Sequence, residues 1–553
     1  MEINRTGGQL LIESLQQQGT DHIFCVPGES FLSALDGLHG MESIRTIICR
    51  QEGGAAMMAD AYGKLTHRPG VCFVSRGPGA SNAASGIHIA SQDSTPLVMF
   101  VGQIERSTTG REAFQEIDYR AMFGYVAKRV EQIEDVDRIP EVVSRAFHTA
   151  VNGRAGPVVV ALPEDMLRDT TTAAPVALFR HVEPAPGAAA VADFEERLKA
   201  ARKPIMIVGG RGWRQDTKEK IQQFSEDWDL RVVAGFRFQD CVDNDHDHYI
   251  GELGLGTNPV LTEAIQAADL LIVLGVRLGE LTTAGYTLID IPVPRQQLVH
   301  IYPGMEELGS VYYPTLAINA SVNQFADVLP DLAGRPADLP WSALRKQGRQ
   351  AYLAWTKPVF SPGRVNLSEV ICSLNDVLPD NAIIANGAGN YTAWVHRFYR
   401  YRTLGSQLAP TAGSMGYGLP AAVAAKLVQP HRPAIVFAGD GCFMMTGQEL
   451  ATAVQYQLSV VIVVVNNGMF GTIRMHQERR FPGRVIGTDL VNPDFCALAQ
   501  AYGAHAERVE ETAAFLPALR RALDMSGPAL IELIVDPEAI TPTRTLSDLK
   551  AGG

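Results

Sequence analysis

The chain has 553 residues, too many for a single hydrophobic core, which indicates two to four domains. Its 46% hydrophobic and 20% charged residues are typical of a globular protein rather than a disordered one. A net charge of −12 argues against a nucleic-acid partner, because surfaces that bind phosphate backbones are basic.

The amino terminus has neither the basic segment nor the apolar run of a signal peptide. The longest apolar runs, such as residues 460–465, are too short to span a bilayer. The cysteines are dispersed without metal-ligand spacing, which favours free thiols in a reducing compartment. The sequence therefore predicts a cytoplasmic protein that does not enter a membrane.

In the first segment of the chain, short apolar runs alternate with helical patterns, which predicts a parallel sheet covered by helices. The predicted strands are residues 22–26, 46–50, 71–75, 97–101 and 158–161. Helical patterns occupy residues 8–18 and 55–64. Residues 170–191 are rich in Thr, Ala and Pro and are predicted to form a linker.

The same alternation occurs twice more. A second segment has predicted strands at residues 204–210 and 270–275 and ends near the proline-bearing residues 331–341. In the third segment the predicted strands are residues 382–385, 434–438, 460–465 and 529–535. The sequence therefore predicts an α/β protein of three doubly wound parallel-sheet domains. We place their boundaries at residues 1–172, 190–335 and 355–545.

The strongest chemical signal lies in the third segment. Residues 439–442 (Gly-Asp-Gly-Cys) follow one predicted strand, and residues 466–468 (Asn-Asn-Gly) follow the next, about one right-handed crossover later. Because ligands bind beyond the carboxyl ends of parallel strands, Asp440 and Asn467 are expected to meet there. Their hard oxygen atoms suit Mg²⁺, and Gly441 lets the backbone approach a diphosphate.

Thr446 and Glu449 have the spacing of a capping box, which predicts a helix whose positive end faces the same anion. Either dipeptide alone could be a turn that merely ends a strand. The spacing of both, in this context, favours a metal–diphosphate site.

These motifs resemble the diphosphate signature of thiamine-diphosphate-dependent enzymes, and the domain order is similar to that of the acetohydroxyacid (acetolactate) synthase and pyruvate oxidase group. The resemblance implies pyrimidine-binding, central and diphosphate-binding domains in chain order. It implies thiamine diphosphate and Mg²⁺ as cofactors, with the metal held by Asp440, Asn467 and Met469. The other third-domain cofactor contacts that it implies are Ala388, Asn390, Tyr391, Gly413, Met415, Gly441, Cys442, Phe470 and Gly471.

In this family a glutamate hydrogen-bonds the aminopyrimidine ring, which then removes the proton from the thiazolium C2. Glu52 stands where the resemblance places this glutamate, although its local sequence fits a first-turn helix residue equally well. Gly28, Pro78 and Asn82 are the implied pyrimidine-pocket residues. The family also implies that Glu52 reaches a cofactor bound to a partner subunit, so we expect a homodimer at minimum and favour a tetramer.

Residues 113–116 (Ala-Phe-Gln-Glu) resemble an active-site segment of the synthases, and Lys128 stands where they carry a lysine near the substrate entrance. The resemblance implies attack on a 2-oxo acid such as pyruvate, loss of CO2 and addition to a second carbonyl. Gln115 would then be near the substrate. Both Gln115 and Lys128 could instead belong to a solvated loop.

Three departures from the synthase pattern predict a more polar pocket. His476 stands where the synthases usually carry a Trp, and Glu29 and Arg76 replace small residues. With Glu52 and Gln115, we treat Glu29 and His476 as candidate catalytic residues. A single histidine such as His476 could also be structural.

Two other activities remain open. A carbon–carbon lyase or hydrolase of a 2-hydroxy ketone or diketone would use Glu29 and His476 for acid–base chemistry, and a flavin-dependent 2-oxo-acid oxidase would need FAD. Residues 275–278 resemble part of the flavin-binding pattern. However, residues 251–256 replace its usual Met-His-Gly-type segment, which weighs against FAD.

Overall fold

Three sheets, each of six strands, organise the chain in the computed structural model, which describes residues 4–332 and 334–551. Residues 1–3, which belong to the first predicted domain and to the amino terminus discussed above, lie outside the described residues. All strand pairs within these sheets are parallel, which confirms the predicted α/β class with three parallel-sheet domains. The sheets fall inside the predicted domain ranges, whose boundaries remain predictions.

The first sheet has the strand order β3-β2-β4-β5-β7-β6, and β1 pairs antiparallel with β8 beside it. The strands are β1 (Arg5–Thr6), β2 (His22–Cys25), β3 (Arg45–Ile48), β4 (Gly70–Val74), β5 (Leu97–Gln103), β6 (Arg129–Gln132), β7 (Pro157–Pro163) and β8 (Thr170–Thr171). The helices are α1 (Gly7–Gln17), α2 (Leu32–Leu38), α3 (Glu52–Thr66), α4 (Gly77–Asp93), α5 (Tyr119–Phe123) and α6 (Ile139–Val151).

The second sheet has the order β11-β10-β9-β12-β13-β14. Its elements are α7 (Ala188–Ala200), β9 (Ile205–Val208), α8 (Gln215–Asp227), β10 (Arg231–Ala234), β11 (Tyr249–Glu252), α9 (Pro259–Gln266), β12 (Leu270–Leu274), β13 (Gln297–Tyr302), β14 (Leu316–Asn319) and α10 (Val322–Val328). A further helix, α11 (Ser342–Trp355), packs on β11. The predicted linker, residues 170–191, is shorter than expected, because the alanine-rich start of α7 is already helical.

The third sheet has the order β16-β15-β17-β18-β20-β19. Its strands are β15 (Ile383–Asn386), β16 (Gln407–Leu408), β17 (Ala434–Gly439), β18 (Val460–Asn466), β19 (His505–Val509) and β20 (Ala529–Ile534). The helices are α12 (Leu367–Val377), α13 (Tyr391–Phe398), α14 (Gly418–Val428), α15 (Asp440–Phe443), α16 (Leu450–Gln455), α17 (Gly471–Arg480), α18 (Phe495–Tyr502), α19 (Thr512–Leu523) and α20 (Leu546–Ala551).

The first and third domains share one hydrophobic core. Helix α3 contributes to this shared core, because it packs on α4 in its own domain and on α14 in the third. Its small residues, such as Ala55, Ala56 and Ala59, are fully buried and allow this close approach. The first residue of α3 is Glu52, so the candidate activating glutamate is carried by the most enclosed helix of its domain.

Across residues 4–332 and 334–551, we find no helix with both the length and the apolar character needed to cross a membrane.

Candidate functional site

A cavity of about 260 Å³ lies at the carboxyl ends of β15, β17 and β18. Every third-domain residue predicted to bind the cofactor or the metal lines it: Ala388, Asn390, Tyr391, Gly413, Met415, Asp440, Gly441, Cys442, Asn467, Met469, Phe470 and Gly471. These residues come from four separate stretches of sequence. They meet because each stretch follows or precedes a strand end at the same edge of the parallel sheet.

Asp440 is the buried charge of this cavity, with 2% of its surface exposed. Its Oδ1 accepts the backbone N–H of Gly441 at 2.9 Å, and its Oδ2 accepts the N–H of Gly468 at 2.9 Å. Burial raises the pKa of the Asp440 carboxyl above its ordinary value, because desolvation outweighs the hydrogen bonds that favour the charged form. A divalent cation beside it would restore the preference for the carboxylate.

The other predicted metal ligands lie on the turn after β18. Asn467 Oδ1 accepts the N–H of Met469 at 3.2 Å, and the Met469 carbonyl accepts the N–H of Gly471 at 2.9 Å. A hard cation would take the main-chain oxygen of Met469 rather than its soft thioether sulfur. Carboxylate, amide and carbonyl oxygens therefore converge at this edge, and this donor set fits Mg²⁺.

At two glycines of the cavity there is no room for a side chain. A Cβ on Gly441 would lie 2.5 Å from Phe470 Cε1, and one on Gly389 would lie 2.7 Å from Tyr391 Cε1. Gly413 has a positive φ of 67° and open space beside it. The backbone is thus bare where a diphosphate would approach, so the residues present fit the diphosphate end of the predicted cofactor.

The predicted capping box of Thr446 and Glu449 is wrong. Thr446 Oγ1 donates to the carbonyl of Gly416 at 2.5 Å instead of capping a helix. The Glu449 carboxylate accepts the backbone N–H groups of Arg50 and Gln51 in the first domain. Glu449 therefore contacts the first domain instead of capping a helix, as its local spacing had predicted. The helix after β17 begins at Asp440 itself.

In the first domain, the predicted pyrimidine-pocket residues gather around the first turn of α4, which contains Pro78. Glu52 Oε2 accepts a hydrogen bond from Asn82 Nδ2 at 2.9 Å. A Cβ on Gly79 would lie 3.3 Å from Glu52 Oε1, so this carboxylate lies on the amino end of α4. Gly28 is next to the same turn, because a Cβ there would lie 2.7 Å from the Cβ of Ser75.

Gln115 belongs to this group through its backbone. Its carbonyl accepts the N–H of Gly77 at 3.3 Å, and its φ is 66°. Arg76, 8% exposed, lies beneath the loop that carries Gln115: it forms an ion pair with Glu164 and donates to the carbonyl of Phe114 at 3.5 Å. Arg76 is therefore a paired charge under the loop, and it does not add the free polar group that the sequence suggested.

The remaining candidates, Glu29, His476 and Lys128, do not line the third-domain cavity. Glu29 starts a one-turn 3-10 helix after β2 and is exposed. His476 is exposed on α17, one turn beyond the cavity-lining Thr472. Within the described ranges, neither side chain makes a hydrogen bond. Lys128 immediately precedes β6 and so lies at the amino end of that strand, whereas Gln115 lies at the carboxyl ends of the strands. The Nζ of Lys128 donates to the carbonyl of Asn152 at 2.6 Å.

The first-domain residues around Glu52 do not line the third-domain cavity of the same chain. Among the residues that the structure describes, those lining the 260 Å³ cavity all come from the third domain, and Glu52 is not one of them. A catalytic site that needs both groups is therefore incomplete in a single chain.

Among the residues of the third-domain site that sequence reasoning missed, two form polar contacts with predicted ones. Asn492 Nδ2 donates to Asp440 Oδ2 at 2.8 Å, and Thr472 Oγ1 donates to Asn390 Oδ1 at 2.8 Å. No motif marks Asn492. Thr472 directly follows Gly471, the last residue that the resemblance named in this segment, and that position was the only available signal.

A larger cavity of about 550 Å³ separates the central domain from the first. Gly210 lines it with a positive φ of 81°, and a Cβ there would lie 1.8 Å from the carbonyl oxygen of Gly275. Arg211 also lines it and lies over the Phe238 ring at 4.9 Å. Its Nε and Nη2 are buried without a hydrogen-bond partner among the described residues, as would suit an anionic ligand.

Comparison with known proteins matches three parts of the chain to thiamine pyrophosphate enzymes. The N-terminal TPP-binding domain matches residues 5–122, the central domain residues 191–329, and the C-terminal TPP-binding domain residues 387–533. The chain is 31% identical to the acetolactate synthase of Mycobacterium bovis, over 97% of this chain and 88% of that protein.

Two further relatives have similar coverage. Identity is 30% to the acetolactate synthase large subunit of Parasynechococcus marenigrum, over 96% of this chain and 87% of that protein. The large subunit of acetolactate synthase isozyme 2 from Escherichia coli is 28% identical, over 96% of this chain and 95% of that protein. The chain therefore belongs to the thiamine pyrophosphate enzymes, in the group that contains the acetolactate synthases.

Proposed function

We propose that this enzyme decarboxylates a pyruvate-like 2-oxo acid and joins the remaining acyl group to a second carbonyl compound, as acetolactate synthases do. The observation that supports this most is the oxygen donor set and bare glycine backbone around Asp440. When bound, thiamine diphosphate supplies the carbon that attacks the carbonyl and the electron sink for decarboxylation.

The chain's own residues have distinct roles in this proposal. Asp440, Asn467 and the carbonyl of Met469 would hold Mg²⁺ against the diphosphate, and Met415 would support the cofactor from the cavity wall. Glu52 would hold a proton at the aminopyrimidine ring, with Asn82 fixing its carboxylate at 2.9 Å.

Gly28 and Pro78 would shape the pyrimidine pocket beside Glu52. Gln115 would bind the substrate. Glu29 and His476 would exchange protons with the second carbonyl compound, since both are exposed and unpaired among the described residues.

The active unit in this proposal is a homodimer, assembled further into a tetramer. Its support is the separation of Glu52 from the third-domain cavity of the same chain. Mixing inactive Glu52→Gln chains with inactive Asp440→Ala chains tests the dimer. Because one composite site per mixed dimer would hold both intact groups, partial activity should return; no recovery would contradict a shared site.

Glu52→Gln should abolish most turnover, and Asp440→Ala should abolish Mg²⁺-dependent binding of thiamine diphosphate in calorimetry. Unchanged turnover in the first variant, or full binding in the second, would contradict the assigned roles.

The interdomain cavity is proposed to bind a nucleotide, with Arg211 contacting its phosphates. Its unpartnered guanidinium atoms support an anion, whereas the sequence weighs against FAD. An absorption spectrum of the purified protein tests FAD directly, and titration with ADP, with Arg211→Ala as the comparison, tests other nucleotides. A flavin band would favour the 2-oxo-acid oxidase alternative.

A lyase or hydrolase of a 2-hydroxy ketone or diketone is the second candidate, favoured by the exposed carboxylate of Glu29. A panel of 2-oxo acids and 2-hydroxy ketones, assayed for CO2 release and product mass, separates the two. Acetolactate from pyruvate supports the carboligase, and cleavage without CO2 supports the lyase. We also propose a cytoplasmic location, which the free state of all seven cysteines supports.

A further inference from the structure

Glu449 is a fully buried carboxylate of the third domain that holds a turn of the first domain. Its Oε1 accepts the backbone N–H of Arg50 at 3.1 Å and that of Gln51 at 3.0 Å. Its Oε2 accepts Thr452 Oγ1 at 2.6 Å. We propose that Glu449 is a positioning residue that fixes the Glu52 carboxylate for proton transfer, a role that rests on the proposed function of Glu52.

The turn before Glu52 is held on both sides. Gln51 is the N-cap of α3, and its side chain accepts the N–H of Gly54 at 3.1 Å. Its own N–H points the other way, to Glu449. Since Glu52 is the next residue, the direction in which its side chain leaves the backbone depends on both contacts.

Glu449 also fits tightly against α3. A Cβ on Gly54 would lie 2.5 Å from Glu449 Oε1 and 2.9 Å from its Cγ, so only a glycine leaves room for this carboxylate. The contact is therefore specific to the first turn of α3, which carries Glu52.

The physical cost of this arrangement indicates a role beyond packing. A buried carboxylate loses its hydration, and burial raises the pKa of Glu449 even though three hydrogen-bond donors oppose that change. Removing the side chain would leave the N–H groups of Arg50 and Gln51 without their acceptor. The domains would stay in contact, because α3 also packs along α14.

The test compares Glu449→Ala, Glu449→Gln and Gln455→Ala as Mg²⁺- and thiamine-diphosphate-loaded enzymes. Gln455 is the matched control: it accepts a bond from the Arg50 guanidinium at 2.5 Å but does not contact the backbone of the turn. Four measurements are made: backbone amide exchange in residues 48–54, exchange of the C2 proton of the bound cofactor by NMR, cofactor affinity, and steady-state kcat and KM.

For Glu449→Ala we expect faster amide exchange in residues 48–54 and C2-proton exchange slowed about 10- to 100-fold, as for other misplaced catalytic groups. Cofactor affinity should not change, and kcat should fall without a change in KM. Glu449→Gln keeps one acceptor oxygen for the two N–H groups and should recover most of the rate. Gln455→Ala should match the wild type.

Wild-type C2-proton exchange in Glu449→Ala would overturn the proposal, and so would loss of cofactor binding in that variant. Gly54→Ala disturbs the same contact from the first domain and should slow C2-proton exchange too; a wild-type rate there counts against the proposal.

Glu52→Gln in the same C2-proton exchange assay distinguishes the proposed function of Glu52 from the positioning role of Glu449. If Glu52→Gln slows the exchange and Glu449→Ala does not, only the positioning role is wrong. If Glu52→Gln exchanges normally, the proposed function of Glu52 fails first, and the positioning role fails with it.

Discussion

Asn492 Nδ2 lies 2.8 Å from Asp440 Oδ2 and 3.1 Å from Asn466 Oδ1, so one amide group connects the ends of β17 and β18. This bond sets the rotation of the Asp440 carboxylate and thereby the direction in which Oδ1 and Oδ2 face the predicted metal. We expect Asn492→Ala to weaken Mg²⁺-dependent thiamine diphosphate binding about 10-fold, the usual effect of losing a partner that orients a metal ligand. Isothermal titration calorimetry in the presence of Mg²⁺ measures this affinity.

Asp489→Asn is the control for this prediction, because Asp489 is in the same loop but its side chain is 86% exposed and pairs with Arg474. It should bind the cofactor as the wild type does. Equal affinities for Asn492→Ala and wild type would show that Asp440 keeps its orientation without Asn492.

Arg76 offers a second prediction, on the substrate side of the site. Arg76→Met removes the charge that pairs with Glu164 and contacts the carbonyl of Phe114. The loop that carries Gln115 should then loosen, and KM for the 2-oxo acid should rise about 10-fold, equivalent to about 1.4 kcal/mol of lost binding. Exchange of the cofactor C2 proton should stay normal, because Glu52 is held by Asn82 and not by this loop.

Steady-state kinetics across substrate concentrations checks this prediction, and Glu164→Gln provides the reciprocal variant with the same expected rise in KM. A fall in kcat with KM unchanged would mean that Arg76 acts on the chemical step rather than on the loop.

Sequence reasoning located the third-domain cavity well because its residues lie next to strand ends. Strands such as β17 and β18 are continuous apolar runs, and the residue after each one must appear at the same edge of a parallel sheet. Asn492 could not be found in this way. It follows no strand and reaches Asp440 only through the path of the loop after α17.

Local patterns failed where their own signal was weak or where a tertiary contact overrode it. Strands β6 and β19 were missed because they lie at sheet edges and carry polar residues, as in the segment His505–Val509. Glu449 fits a capping box by spacing, yet its carboxylate accepts hydrogen bonds from the backbone of the first domain. The sequence around Glu449 gives no sign of this partner in the first domain.

A third prediction concerns the buried charges on α3 and α4. Lys64 Nζ lies 2.7 Å from Asp60 Oδ2 and 2.5 Å from Asp93 Oδ2, and all three side chains are fully buried. Asp93 also accepts bonds from Thr411 and Ala412 of the third domain. Asp93→Asn should lower the free energy of unfolding by about 3 kcal/mol, because it breaks a buried ion pair.

Denaturant unfolding at neutral pH gives this value. Asp60→Asn, which leaves the Lys64–Asp93 pair intact, should cost much less. Equal losses in the two variants would show that Lys64 depends on both carboxylates alike.

The pH dependence of stability provides the last prediction, because one ammonium cannot neutralise both carboxylates. Burial raises the pKa of Asp60 above its ordinary value of 3.8, and the neighbouring charge of Asp93 acts in the same direction against the attraction of Lys64. In Asp93 burial again opposes the charged form, but the attraction of Lys64 and its hydrogen bonds prevails and lowers the pKa. Of the two carboxyls, Asp60 is therefore the one that holds its proton more strongly in the folded protein.

Between the ordinary and the raised pKa of Asp60, the folded protein binds more protons than the unfolded chain does. The Asp60 contribution to the free energy of unfolding must then fall as the pH rises through that window and become constant above it. Asp60→Asn removes this contribution, so its stability relative to the wild type should increase as the pH rises above the ordinary pKa of Asp60 and through that window. Denaturation midpoints of both proteins across that range measure the difference. Since Lys64, Asp93 and Tyr417 face residue 60 in both proteins, a constant difference would mean that Asp60 of the wild type is already ionised at the acidic end.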